Sequence, residues 1–302
     1  MTGKTINSAI VLLILGNALA VISDVFVKIM GSDASIFQFI LLRSLLTLVL
    51  LLPLYRQLNR KRFLEGFRIH ALRSQMHLIG IFCMVIALTS LPLATANAVF
   101  YVAPILVMLL SVALFREKLT PLSLFAVFSG FGGIVVILRP EEFSWVGISA
   151  LGAAAALAIN AVLVRKLPKQ QSTIHKLFLD YLLMIPTVSL LVLWEGADWD
   201  PSIFFSALGS AVFIMGYNIT VLLAYRVVDA NRVTSAEYTG LIWAITIGWI
   251  GFGEAPDLWF LIGSCMIVLP LVWTGLSQRR QNRVRAQSHT LADDRLRNPD
   301  DQ

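Results

Sequence analysis

Charge is what this sequence has least of. Asp, Glu, Lys and Arg make up 14% of its 302 residues, against 57% hydrophobic residues, whereas a soluble domain carries about 25% charged residues. Cysteine is nearly absent. Cys83 and Cys265 both lie in apolar runs, which excludes a disulfide framework and leaves two small core residues. Of the histidines His70, His77, His175 and His289, His70 and His77 fall on one helix face, but no further ligand sits near them, so no metal site is read. No Gly-rich loop ends in Lys-Ser/Thr, which excludes an ATP motor. No nucleophile elbow and no His-Glu-x-x-His run occurs, and candidate nucleophiles and bases stand singly, which argues against an intramembrane enzyme. No cofactor is implied. The net charge of +6 belongs to no soluble basic face, so it does not mark a nucleic-acid partner.

What is present is long apolar runs. A hydrocarbon core about 30 Å thick takes about 20 helical residues. At least eight segments reach that length and two more follow from an internal repeat, giving spans at about 6–27, 34–53, 74–91, 94–115, 120–138, 146–164, 175–194, 203–225, 232–252 and 257–276. Strands of a membrane barrel are about half as long. The expected fold is an all-α integral membrane protein of ten transmembrane helices. The first span lacks a small-residue cleavage site followed by a soluble domain, so it reads as a retained helix.

The repeat is gapless. Ala87–Lys118 lies on Ala224–Ala255 when shifted by 137 positions, matching Tyr101 to Tyr238, Ile105 to Ile242, Phe115 to Phe252 and Glu117 to Glu254. The same shift lays Ser23–Lys28 on Asn160–Arg165. Residues 1–138 and 143–276 therefore read as two five-helix repeats, and because five is odd the second enters the membrane inverted. Residues 277–302 are polar and charged, cannot bury a core, and read as a disordered cytoplasmic tail whose basic start attracts anionic lipid.

Loop charges give the orientation. One set of loops holds Lys4, Arg56, Arg60, Lys61, Arg62, Arg68, Arg73, Arg116, Lys118, Arg165, Lys166, Lys169, Lys176, Arg226, Arg232 and the tail arginines from Arg279; the other holds only Lys28 and Arg139 with seven acidic residues, Asp33 and Asp257 among them. The positive-inside rule then places both termini in the cytoplasm, in a multi-pass protein of the cell (inner) membrane.

Polar groups at membrane depth are costly and so face the protein interior. Asp24, Arg43, Asp180 and Glu237 are the ionisable ones, with Arg43 near the midplane. Asp24 and Lys28, four apart, read as a local ion pair, or else Asp24 is a site residue. Asp180, near a membrane surface, reads as structural or snorkelling. Arg43 and Asp180 are repeat equivalents which inversion sets at different depths, so no direct pair follows. Asn97, Tyr101 and Met108 share one face of the fourth span. Thr234, Glu237 and Tyr238 occupy matching turns of the ninth, Tyr217 and Asn218 lie in the eighth, and Gln75 and His77 in the third. Gly147, Ala150, Ala154, Ala158 and Ala161 form a stripe for close helix packing rather than a pathway lining; Gly130, Gly132 and Gly133 invite either packing or a homodimer. Pro104, Pro186 and Pro270 are candidate helix breaks.

The run SLPLATANAVFYVAPILVMLLSVALFREKLT and its shadow VVDANRVTSAEYTGLIWAITIGWIGFGEAP, set in ten spans, resemble the EamA type of the drug/metabolite transporter superfamily over about 6–276. Pro104, Glu117 and Glu254 match that pattern, while Leu241 stands where a second-half proline is expected. The resemblance implies a secondary carrier with a central cavity between its halves, embedded in the bilayer, and names no substrate. On that frame Arg43, Asn97, Tyr101, Tyr217, Asn218, Glu237, Tyr238 and Trp243 are the expected binding residues, Arg43 for an anionic group and Glu237 for an amine or proton, with Asp24 and Glu237 as coupling candidates. The expected cargo is a small polar, amino-acid-like metabolite moved by alternating access. The alternative is an exporter of hydrophobic drugs or a flippase of lipid-linked substrates.

Overall fold

The computed structural model describes residues 6–58, 63–116, 121–139, 145–168, 170–225, 239–274 and 276–277. Regular structure among these residues is helical throughout: α1 Ile6–Met30, α2 Ile36–Leu51 with a 3-10 extension Leu52–Gln57, α3 Phe67–Ser90, α4 Leu93–Phe100, α5 Ala103–Phe115, α6 Pro121–Leu138, α7 Trp145–Val164, α8 Thr173–Glu195, α9 Ile203–Tyr225, α10 Thr239–Phe252 and α11 Leu258–Thr274. Eight spans are long and apolar enough to cross a membrane, counting α4 and α5 as one; α10 and α11 are shorter. This is the ten-span, all-helical architecture expected from the repeat.

Local chemistry sets the boundaries. Ser35 and Ser172, 137 residues apart, cap α2 and α8 alike, each side chain accepting the backbone N–H three residues on, at 3.2 and 3.1 Å. These bonds satisfy donors that a helix start otherwise leaves orphaned. The fourth span is broken. α4 ends at Phe100, and after Tyr101 and Val102 α5 starts with Pro104 in its first turn, the position where a missing N–H costs nothing. Pro186, by contrast, lies inside the continuous α8. The described part of the ninth span begins at Thr239, so its predicted start at 232 lies outside the described residues, as does the tail from 278.

The two halves pack as an inverted pair. An odd number of crossings separates α1 from its counterpart α7, so the two run in opposite senses. α1 packs on α9 and α7 on α3; α2 packs on α9 and α8 on α3; α1 meets α10 and α7 meets α5; α2 and α8 meet each other. Each contact is thus the repeat image of another. Below, the ends of the bundle are called the Ile6 end and the Met30 end, after α1. Large apolar side chains cover the outside, Phe128, Leu193 and Ile250 being 70%, 77% and 79% exposed, as lipid-facing residues are. Trp145, Trp194, Trp199 and Trp259 lie exposed at the Met30 end, where amphipathic rings suit a membrane interface.

Apart from Ala161, which is exposed, the small-residue stripes pack within the chain. Gly147, Ala150, Ala154 and Ala158 are buried, and Gly80 of α3 lies so near α7 that a Cβ on it would stand 3.0 Å from that of Ala156. The glycines of α6 are used inside too. A Cβ at Gly133 would lie 2.6 Å from the Gly263 carbonyl oxygen of α11, and those at Gly130 and Gly132 would meet Ile105 and Met266. These faces hold α6 to α5 and α11, which removes the dimer reading of that stripe.

Candidate functional site

A cavity of about 350 Å³ opens where the halves meet, walled by α2 and α3 from the first and by α7, α8 and α9 from the second. Its volume falls at the small end of metabolite sites. Met76, Ile81, Met84, Leu157, Leu177 and Ile214 form apolar walls, Gly80, Ala153 and Ala156 thin them, and the polar lining is Arg43, Arg73, His77, Asn160, Asp180, Tyr181 and Asn218.

Arg43 and Asp180 both reach this cavity, from α2 and α8, although the inverted repeat offsets them along the membrane normal. They form no direct pair, as expected, but their environments differ sharply. Asp180 is compensated: its Oδ2 lies 3.3 Å from Arg73 Nη2 and 2.9 Å from His77 Nδ1. Arg73 Nε and Nη2 also donate to Asn160 Oδ1, both at 3.1 Å. The reading of Asp180 as structural therefore holds over snorkelling, since its side chain is 3% exposed. Arg73 itself is a correction. α3 begins at Phe67, so Arg73 is a buried residue inside the span and not a loop charge. Arg43 is 4% exposed, and its Nε and Nη1 have no hydrogen-bond partner among the described residues. The Thr47 hydroxyl bonds the Arg43 carbonyl at 2.7 Å, fixing backbone and not guanidinium.

The other expected site residues fall elsewhere. Asp24 accepts a hydrogen bond from Asn97 Nδ2 at 3.1 Å, joining α1 to α4; its charge acts on Arg43 without an ion pair between them. Tyr101 and Trp243 belong to the junction of α1, the end of α4 and α10: the Tyr101 hydroxyl closes on Gly240, and Trp243 Nε1 donates to the Ile14 carbonyl at 3.2 Å. Tyr217 packs its ring beside Gly16 in the α1–α9 contact. Asn218 joins Arg43 on the cavity wall. Glu237 and Tyr238, with Thr234, lie outside the described residues.

Lys28 does not pair with Asp24. Its Nζ lies 2.8 Å from Glu254 Oε1, donates to the Leu91 carbonyl at 2.7 Å, and sits 5.4 Å from the centre of the Phe252 ring. Gly253, at φ 69°, supplies the left-handed turn that aims Glu254 inward, a conformation glycine adopts without Cβ strain. This cluster ties the end of α1 to the α3–α4 junction at the Met30 end. Its repeat image lies at the other end, where Arg165 stacks 4.2 Å from the centre of Phe115 and donates to Ser111 Oγ at 3.1 Å. Arg165 is the equivalent of Lys28, and Phe115 of Phe252.

Sequence reasoning missed Arg73, Asn160, Met76 and Met84. One signal was available for Asn160, which opens the segment that the repeat lays on Ser23–Lys28. The methionines carry no signal beyond apolar spacing.

An EamA-like transporter family model matches residues 7–139 and 144–276. The riboflavin transporter of Vibrio cholerae is 26% identical over 81% of this chain and 85% of its own length. The S-adenosylmethionine uptake transporter of Rickettsia prowazekii is 23% identical over 92% and 95%, and the pseudopaline exporter of Pseudomonas aeruginosa is 22% identical over 88% and 95%. A solved crystal structure shares the fold at a TM-score of 0.58 and 17% identity, covering 88% of this chain and 96% of that one. With two matched domains that fill nearly the whole chain, in the inverted ten-span arrangement described above, this protein belongs to the EamA-like transporter family of multi-pass membrane transporters.

Proposed function

We propose that the protein is a secondary carrier of a small polar, amino-acid-like metabolite, working by alternating access, with the cavity between the halves as its cargo site. The carrying observation is that this cavity is built by both repeats and presents buried polar groups on otherwise apolar walls. Inverted halves that exchange conformations open one central site to either side in turn. The Lys28–Glu254 cluster ties helix ends of both halves together at the Met30 end, the contact a gate on that side would use. The relatives named for riboflavin, S-adenosylmethionine and pseudopaline support a small-metabolite cargo. Loop charges support an inner-membrane orientation with both termini cytoplasmic. Counterflow into proteoliposomes carrying the purified protein, scored across a mixed metabolite pool, tests the reading. Saturable accumulation of one polar class is expected, and uptake identical to that of protein-free vesicles for every class would refute it.

A further inference from the structure

Arg43 is the most unusual group in the molecule. It is a buried guanidinium, on a cavity wall, with two N–H-bearing nitrogens lacking an acceptor. A buried charge without partners costs several kcal/mol, and a native fold retains one when something else completes it. The groups facing it cannot do so. From α1, Asp24 is engaged by Asn97 and forms no ion pair with Arg43. From α8, Asp180 is held by Arg73 and His77. The cavity wall therefore carries one carboxylate in direct contact with two basic groups and one guanidinium that forms no ion pair among the described residues.

We propose that Arg43 is the anchor of an anion site, and that the cargo presents a carboxylate or phosphate group to its open guanidinium edge. Asp180 already faces Arg73 and His77 through Oδ2, so, although its Oδ1 accepts no hydrogen bond among the described residues, a cargo amine there would stand beside two basic groups. This rests on the cavity being the cargo site, and it makes a free anionic group, rather than a zwitterion, the requirement for binding. The planar guanidinium offers parallel N–H donors to a two-oxygen anion. Exclusion of water strengthens that contact.

The test uses purified full-length protein in detergent, with thermal unfolding followed at constant ionic strength. Three probes share one branched body: 4-methylpentanoate is an anion, leucine a zwitterion and leucinamide a cation. 4-Methylpentanoate and leucine are expected to raise the Tm of wild type, and leucinamide is not. Stabilisation by inorganic phosphate alone keeps the anion site and assigns it to phosphate-bearing cargo. Arg43→Gln should weaken the anion effect roughly 30-fold or more, as loss of one partner of a desolvated charged pair does, and Arg43→Lys should retain part of it. Without any probe, Arg43→Gln should unfold at or above the wild-type temperature, since it removes a buried charge whose Nε and Nη1 no described residue accepts from. A clear Tm loss there marks Arg43 as a structural ion and overturns the proposal. So does stabilisation by leucinamide equal to that by the anions, anion stabilisation unchanged in Arg43→Gln, or no response to any anion. Ala161→Trp, placed on the cavity wall, separates the two readings. Cation stabilisation abolished by this plug keeps the cavity as cargo site while the anion site fails; anion stabilisation that survives it removes the cavity reading.

Discussion

Glu254 engages Lys28 and the backbone of Leu93 with a single carboxylate: Oε1 lies 2.8 Å from Lys28 Nζ, and Oε2 accepts the Leu93 N–H at 2.7 Å. Leu93 opens α4, so the carboxylate also satisfies a helix-start donor where negative charge is favoured. Two helix boundaries, the α3–α4 junction of the first repeat and the turn after α10 in the second, are thereby joined to the end of α1.

Glu254→Gln is expected to loosen that end. Charged hydrogen bonds of this type contribute on the order of 1–3 kcal/mol, which moves a two-state equilibrium by roughly 5–150-fold. Ala94→Cys, at a buried position beside Glu254, placed in a background with Cys83 and Cys265 replaced by Ala, reports the change through a membrane-impermeant maleimide. Faster labelling is expected in Glu254→Gln, with partial return to the slow rate in the Lys28→Glu/Glu254→Lys double swap. Equal rates in all three proteins would show that the pair closes nothing.

Arg165→Gln probes the image of that cluster at the Ile6 end, where the stack on Phe115 is worth about 0.5–2 kcal/mol. Because the halves are inverted, weakening this end should bias the protein the opposite way. The same thiol reporter, Ala94→Cys, is expected to label more slowly than in the background that keeps Arg165. Faster labelling would sink the two-gate symmetry.

Asp180→Asn is expected to destabilise the fold by about 3–5 kcal/mol, because it leaves Arg73 buried with only Asn160 as partner. The double variant Arg73→Met/Asp180→Leu should recover most of that loss, since removing both ions removes both desolvation penalties. Thermal unfolding of the three purified proteins decides it. A double variant as unstable as Asp180→Asn would mean that the cluster does more than hold α3 to α8.

Gly133→Ala should cost about 1–3 kcal/mol through overpacking against the Gly263 carbonyl, parting α6 from α11. Gly251→Ala, which meets nothing within 4 Å, should instead stay within about 1 kcal/mol of wild type. Matched melting curves of the two variants provide the comparison.

A reporter active only in the cytoplasm, fused after Gln302, is expected to be active, on the ground of the loop charge asymmetry. Activity only from a periplasm-specific reporter at the same position would reverse the orientation.

Composition and repeat together determined the class, the span count and the inversion. Each depends on summed properties: apolar length against bilayer thickness, and register over dozens of residues. The caps at Ser35 and Ser172 were determined locally as well, because a serine hydroxyl reaches a backbone donor within its own turn. The site was legible only in part. Arg43 stands out in any reading, since a guanidinium near the midplane must face protein. Which acceptors would be missing from its surroundings depended on how five helices converge, and no spacing along the chain encodes that. The same holds for Lys28. Its neighbour at i−4, Asp24, is the obvious partner along the helix, yet Asn97 takes that carboxylate and Glu254, 226 positions away, takes the amine. Tyr101 and Trp243 have the right chemistry and depth for a binding wall, but the break after Phe100 and the close contact with Gly240 turn them into the α1–α4–α10 junction. Tertiary packing decided these placements because a helix presents several faces at equal depth, and only its neighbours select which one meets the cavity.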